Sequence, residues 1–158
     1  VRLYRQTMDR VDADPFYYFS EDYFRSWTGP LQPYCQIAVV RDENGEAAAA
    51  GLFTEVRSWM QYHLSGTAET HRKLAPSKLM IHVMRLRAHE AGNSRLHLGG
   101  GLGADTDSVF YFKAGFSSSR AAFHSLRIIC DSEAYRTLCS DPPLPPSEGF
   151  FPAYRDQK

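Results

Sequence analysis

The chain has 158 residues, 18 Lys and Arg set against 18 Asp and Glu, with 43% hydrophobic and 13% aromatic residues. A domain takes roughly 100–200 residues, so this apolar content predicts one globular core and excludes disordered and collagen-like chains. Charged residues interrupt every apolar run well short of the roughly 18 residues a membrane span needs, so a soluble domain without a span is expected.

Val1 to Asp14 lacks the apolar centre of a signal peptide, and the opening Val suggests a processed chain or a fragment. Cys35, Cys130 and Cys139 form no CxxC pair and leave one thiol unmatched. They read as small hydrophobes in a reducing compartment, which points to the cytoplasm. Charge is uneven along the chain: residues 61–100 hold six basic and two acidic side chains and five of the six histidines. An anionic ligand is therefore expected there first, although a solvated helix face explains the same run.

Residues 3–12 fit a short amphipathic helix with Leu3, Met8 and Val11 on one face. Ser20 is an N-cap for a second helix, with Glu21 and Asp22 in its first turn, Phe19 and Phe24 at staple spacing, and Gly29-Pro30 as its stop. Cys35 to Arg41 reads as a strand, Asn44-Gly45 as a hairpin turn, Glu46 to Val56 as the return strand and Ser58 to Leu64 as a third strand. A loop carrying His71, Arg72 and Lys73 precedes Pro76, a residue suited to a first helical turn. Lys78 to Ala91 is helical with Leu79, Val83 and Leu86 at i, i+4 and i+7, flanked by Met80, Ile81 and Met84, and is stopped by Gly92-Asn93.

Arg95 to Leu98 is a short strand before Gly99-Gly100-Gly101-Leu102-Gly103. Asp105 or Asp107 caps a helix through Lys113, Phe123 to Cys130 is a further strand, and Asp131 caps a helix over Ser132 to Cys139. Residues 1–140 are expected to form a single domain, with residues 141–158 a Pro- and aromatic-rich tail packed back on it. A crossover helix returns the chain parallel, so the order implies an α/β fold with a mixed, mostly antiparallel sheet flanked by helices.

Gly99 to Ala104 formally matches G-x-G-x-x-A, but it comes too late for a dinucleotide fold, and Asp105 and Asp107 would crowd a pyrophosphate. His82 and His89 lie seven apart on the long helix with no carboxylate or thiol to complete a metal set, so surface histidines and no metal are expected. His63 and His97 fall in different strands, and alternation does not say whether they meet. Lys113 sits within Val109-Phe110-Tyr111-Phe112-Lys113-Ala114-Gly115-Phe116, where its ammonium faces desolvation unless it reaches water or an anion. Composition alone favours a snorkelling lysine there.

The segments Tyr62-His63-Leu64-Ser65-Gly66-Thr67, Ala75-Pro76-Ser77-Lys78-Leu79, Leu96-His97-Leu98-Gly99-Gly100-Gly101 and Asp107-Ser108-Val109-Phe110, with Phe112-Lys113-Ala114-Gly115-Phe116, resemble the Fem-type (peptidoglycan bridge-forming) aminoacyltransferases of the GNAT superfamily. The resemblance implies a GNAT-like fold for residues 1–140 and an acyltransferase that moves an aminoacyl group from aminoacyl-tRNA to an amine acceptor such as a peptidoglycan precursor. It implies that Lys113 is catalytic, its positive charge beside a carbonyl oxygen that becomes an oxyanion. Substrate and donor are expected at Ser65, Gly66, Thr67, Arg72, Lys73, Gly99, Gly100 and Gly101, with Arg72 and Lys73 meeting phosphates of the tRNA end.

Fem enzymes generally carry two GNAT-like domains, so a second such domain or a homodimer partner is implied here, unless the chain is related to a single-domain acyltransferase. In the alternative, an acyl-CoA-dependent N-acetyltransferase, coenzyme A thioester is the donor and Tyr111 is catalytic, protonating the leaving thiolate. The segment from Ser65 to Ser77 holds only one glycine, Gly66, and so lacks the pyrophosphate loop of coenzyme-A-using GNAT enzymes. A third possibility is a non-catalytic GNAT-like interaction module.

Overall fold

The computed structural model describes residues 1–102, 105–139 and 149–156, and the chain forms two compact units, Val1–Ser117 and Ser118–Lys158. The first begins with helix α1 (Arg2–Arg10) and helix α2 (Glu21–Thr28). Ser20 Oγ accepts the Tyr23 N–H at 3.2 Å, the cap its position predicts. Leu3 and Tyr4 are the buried residues of α1, whereas Val11 lies outside the helix and is exposed. The expected Leu3–Met8–Val11 stripe is thereby corrected. Tyr4 wins the face because its ring packs on Phe19 and Phe24, at 5.9 and 5.4 Å between centroids, and its hydroxyl donates to Tyr17 O at 2.8 Å.

Strands β1 (Cys35–Arg41), β2 (Ala47–Val56) and β3 (Trp59–Thr67) form the expected antiparallel meander, and β4 (Arg95–His97) joins β3 in parallel. The spatial order is β1-β2-β3-β4. This is an α/β fold with a mixed, mostly antiparallel sheet flanked by helices, the architecture expected of a GNAT-like domain. Asp42 builds the hairpin turn through its Oδ1, which accepts from the N–H groups of Asn44 and Glu46. Ser65, Gly66 and Thr67 do not close the strand but continue it, so β3 ends three residues later than predicted, having begun one residue later, at Trp59.

Helix α3 (Pro76–Glu90) makes the crossover from β3 to β4. Its buried residues are Pro76, Met80, Ile81, Met84 and Ala88, while Leu79, Val83 and Leu86 are exposed. The residues that mark the helical period in sequence thus lie one position ahead of those the core takes. The helix is apolar on two neighbouring faces, and the sheet selects between them. Gly51 leaves room for Met80, since a Cβ there would stand 2.8 Å from Met80 Cε, and an unbranched thioether fills such a gap. Phe53, Met60, Met80, Met84 and Ala88 form the core, with Ala38, Val40, Tyr62 and Leu96 packed against it.

Helix α4 (Ser108–Ala114) is capped by Asp107 rather than Asp105: Asp107 Oδ1 accepts the Phe110 N–H at 2.8 Å. In the second unit, helix α5 (Ser132–Leu138) is capped by Asp131, as expected. Tyr135 of α5 stacks on Phe151, meets Tyr154 edge-on and accepts the Ala153 N–H at 2.8 Å. The strand expected over Phe123 to Cys130 is absent. Phe123, Leu126 and Ile128 are exposed, and a strand that finds no ladder partner has nothing to hold it extended. The proline-rich stretch 141–148, and Gly103 and Ala104 of the glycine run, lie outside the described residues.

Candidate functional site

The sequence-predicted residues fall at three places in the first unit. Gly99, Gly100 and Gly101 follow β4, and α4 brings Lys113 back to them: Lys113 Nζ donates to Gly100 O at 2.7 Å. Gly99 has φ of +75°, a conformation few side chains accept. A Cβ on Gly101 would stand 2.1 Å from Asp105 O and 2.4 Å from Asp107 Oδ1, so this glycine permits close approach of the loop to the α4 cap. Asp107 Oδ2 also accepts the Leu102 N–H at 3.1 Å. One carboxylate therefore holds the helix start and the glycine loop together, and its hydrogen bonds keep it ionised well below the usual carboxylate range.

Lys113 is half-buried, and that burial pulls its ammonium below the ordinary lysine range while the Asp107 charge partly offsets it. The ammonium makes no ion pair within 4.0 Å among the described residues. One of its three N–H donors is placed on a neutral carbonyl, leaving two. Tyr111, two residues earlier, has its side chain largely in solvent, 67% exposed.

Gly66 is not part of a loop. A Cβ there would lie 2.3 Å from Leu3 C and O and 2.4 Å from Tyr4 N, so Gly66 lets the backbone of α1 rest on β3. Thr67 N–H donates to Thr7 Oγ1, and Thr67 O accepts from Arg10, so side chains of α1 occupy this stretch of the strand's edge. Arg72 and Lys73 lie in a 3-10 turn, Glu69–Leu74, just before α3. Arg10 and Arg72 both reach Glu69, at 3.3 Å each, and His71 Nε2 lies 3.0 Å from Asp42 Oδ2. The basic turn is thereby tied to α1 and to the β1–β2 hairpin. Among the described residues no hydrogen bond or ion pair joins it to the Lys113 loop.

β3 pairs with β4 only from Trp59 to Gln61, and Tyr62 onward has no β4 partner. Near that parting a hollow of about 250 Å³ is lined by Thr54, Val56, Trp59, Met60, Gln61 and His97, without Lys113 or Tyr111. Just beyond it is a cluster the sequence reading missed. His63 is an extra residue in β3, because Leu64 stands opposite Leu52 while Tyr62 stands opposite Phe53. His63 Nε2 lies 2.8 Å from Tyr23 Oη, its ring is 4.8 Å from that of Trp27, and Trp27 Nε1 is buried without a partner among the described residues. The histidine itself was visible in the sequence, but a bulge depends on the register of two strands and leaves no signal in one. Among the described residues no group of three or more His, Cys, Asp or Glu is placed to hold a metal.

No protein-family model and no curated protein matches the chain. Two solved structures resemble it, both mutants of the BH1408 protein from Bacillus halodurans. A single-substitution mutant is 15% identical with a TM-score of 0.57, over 81% of this chain and 89% of that one. A tetramutant is 14% identical with a TM-score of 0.56, over 81% and 90%. At these identities the likeness is one of fold. No helix among the described residues is long and apolar enough to cross a membrane.

Proposed function

We propose that the chain is a Fem-like acyltransferase on a GNAT-like scaffold, moving an aminoacyl group from aminoacyl-tRNA to an amine acceptor such as a peptidoglycan precursor. The observation that carries this reading is the Lys113 ammonium: half-buried, held at the glycine loop by one neutral carbonyl, with no other hydrogen-bond partner among the described residues. A charge in that state gains most from an oxygen that becomes negative, as the carbonyl oxygen does when an amine attacks. The short stretch of β3 from Tyr62 to Leu64, past its pairing with β4 and before α1 covers Gly66 and Thr67, supports it further, because an open strand edge takes an extended amide-bearing chain by backbone hydrogen bonds.

The test is transfer from alanyl-tRNA by Lys113→Ala, with folding followed separately by circular dichroism. A fall in turnover of about 10²–10³ is expected, the size of losing one oxyanion donor. Unchanged turnover removes Lys113 from the mechanism.

A second reading, an acyl-CoA N-acetyltransferase, is favoured by Arg72 and Lys73 in the turn before α3, a helix that begins with Pro76 and has no side-chain cap. Saturating coenzyme A raises the melting temperature under this reading and leaves it unchanged under the first.

A further inference from the structure

We propose that His63 takes the proton from the attacking amine, with Tyr23 as the residue that positions it and Trp27 packed against its ring; this rests on the acyl-transfer reading above. The bulge in β3 removes His63 from the alternation of its neighbours, which otherwise sends Tyr62 to the α3 face and Leu64 opposite Leu52. At that place the ring meets two side chains of α2. Tyr23 Oη lies 2.8 Å from Nε2, and Trp27 packs against the ring at 4.8 Å. Nδ1 has no protein partner among the described residues. When Nε2–H donates to Tyr23 Oη, the Nδ1 lone pair is the free base.

The surroundings keep that base neutral. Burial lowers its proton affinity below the usual value of 6.5, with no charged neighbour contributing. The group facing it from α2 is the Tyr23 phenol, and the residues of β2 beside the bulge, Leu52 and Phe53, do not ionise. A buried indole N–H left unpartnered on Trp27 is a cost that a purely structural cluster would avoid.

In the step, the amine lone pair forms the new N–C bond and the carbonyl π pair moves to oxygen. Collapse breaks the C–O bond of the aminoacyl ester, or the C–S bond of a thioester. The proton lost by the attacking nitrogen goes to His63 Nδ1 and then to the leaving oxygen or sulfur.

Two measurements on the full chain test this. Nitrogen-15 NMR of the His63 ring is expected to show Nε2 protonated and Nδ1 bare, titrating below 6.5. Transfer to a lysine-containing tripeptide, with alanyl-tRNA or acetyl-CoA as donor, is expected to rise with pH along a limb at that same value. His63→Gln should abolish the limb and lower kcat/KM by about 10²–10⁴, the usual worth of a general base. Tyr23→Phe should keep the limb but displace it.

A protonated Nδ1, or His63→Gln with the wild-type rate and limb, overturns the role of His63 while leaving acyl transfer intact. Folded wild-type protein that transfers from neither donor overturns the acyl-transfer reading and this inference with it. If His63→Gln does not fold, the ring tautomer and the displaced limb of Tyr23→Phe decide, and absence of both overturns the proposal.

Discussion

Two glycine-bearing segments of the first unit, Ser65-Gly66-Thr67 in β3 and Gly99-Gly100-Gly101 after β4, look alike in sequence and behave differently in the fold. Gly66 is pressed by backbone: the carbonyl of Leu3 and the amide of Tyr4 occupy the space a side chain would need. The triplet is held largely by side chains, with Lys113 on Gly100 O and Asp107 on the Leu102 N–H, the backbone carbonyl of Asp105 pressing only on Gly101. A glycine announces close approach without saying what approaches. Helix backbone cannot yield without moving α1, whereas a lysine and a carboxylate can rearrange. Of the two segments, the triplet is the one whose contacts can open to admit a ligand.

The largest effect expected from this contrast is that of Gly66→Ala. Its new methyl group must displace the start of α1, and a loss of about 3 kcal/mol or more is expected in chemical denaturation. A loss under about 0.5 kcal/mol would show that the α1 seam yields and would erase the distinction. Gly101→Ala comes next, at about 1–3 kcal/mol, because the Asp107 side chain can turn away while Asp105 O must shift. Gly100→Ala is its control: a Cβ there meets nothing within 4 Å, so a change within about 0.5 kcal/mol is expected.

A smaller effect separates the two segments by pH. Tyr4, at the α1 seam, has its phenol pushed from 10.0 up to about 12, chiefly by burial and further by Tyr23 and Tyr17. Its contribution is complete below about pH 10 and is lost as pH rises through 12. Asp107, at the triplet, is shifted the other way by the N–H groups of Phe110 and Leu102. Its contribution is complete above the unperturbed value of 3.8 and disappears as pH falls below it. Amide hydrogen exchange should therefore show the seam loosening first in alkali and the triplet first in acid. Loosening of both at the same extreme would mean that they open as one unit.

Much of the local structure was legible because it depends on neighbours in sequence. Ser20 and Asp131 as caps, Cys35–Arg41 as a strand and Asn44-Gly45 as a turn are all set within four or five residues. Errors arose where a partner distant in sequence makes the choice. The face of α3 was one residue out because only the sheet, through Gly51, favours Met80 over Leu79. Phe123 to Cys130 has the alternation of a strand but pairs with no strand among the described residues.

The candidate site divides in the same way. The Lys113 segment and the glycine triplet stood out in the chain, and α4 brings them within hydrogen-bonding distance of each other. The Tyr23–Trp27–His63 cluster did not, since forty residues separate Tyr23 from His63.

By itself the sequence determined the α/β class, the order of the first eight helices and strands, from α1 to α4, and the Asp and Ser caps, because propensity, periodicity and capping act over a single turn or hairpin. Only the tertiary structure decided which face of α3 is buried, that Gly66 serves helix α1 rather than a ligand loop, and that β3 bulges at His63. Those outcomes follow from close packing between segments far apart in the chain, and a pattern read along one strand carries no record of what will lie beside it.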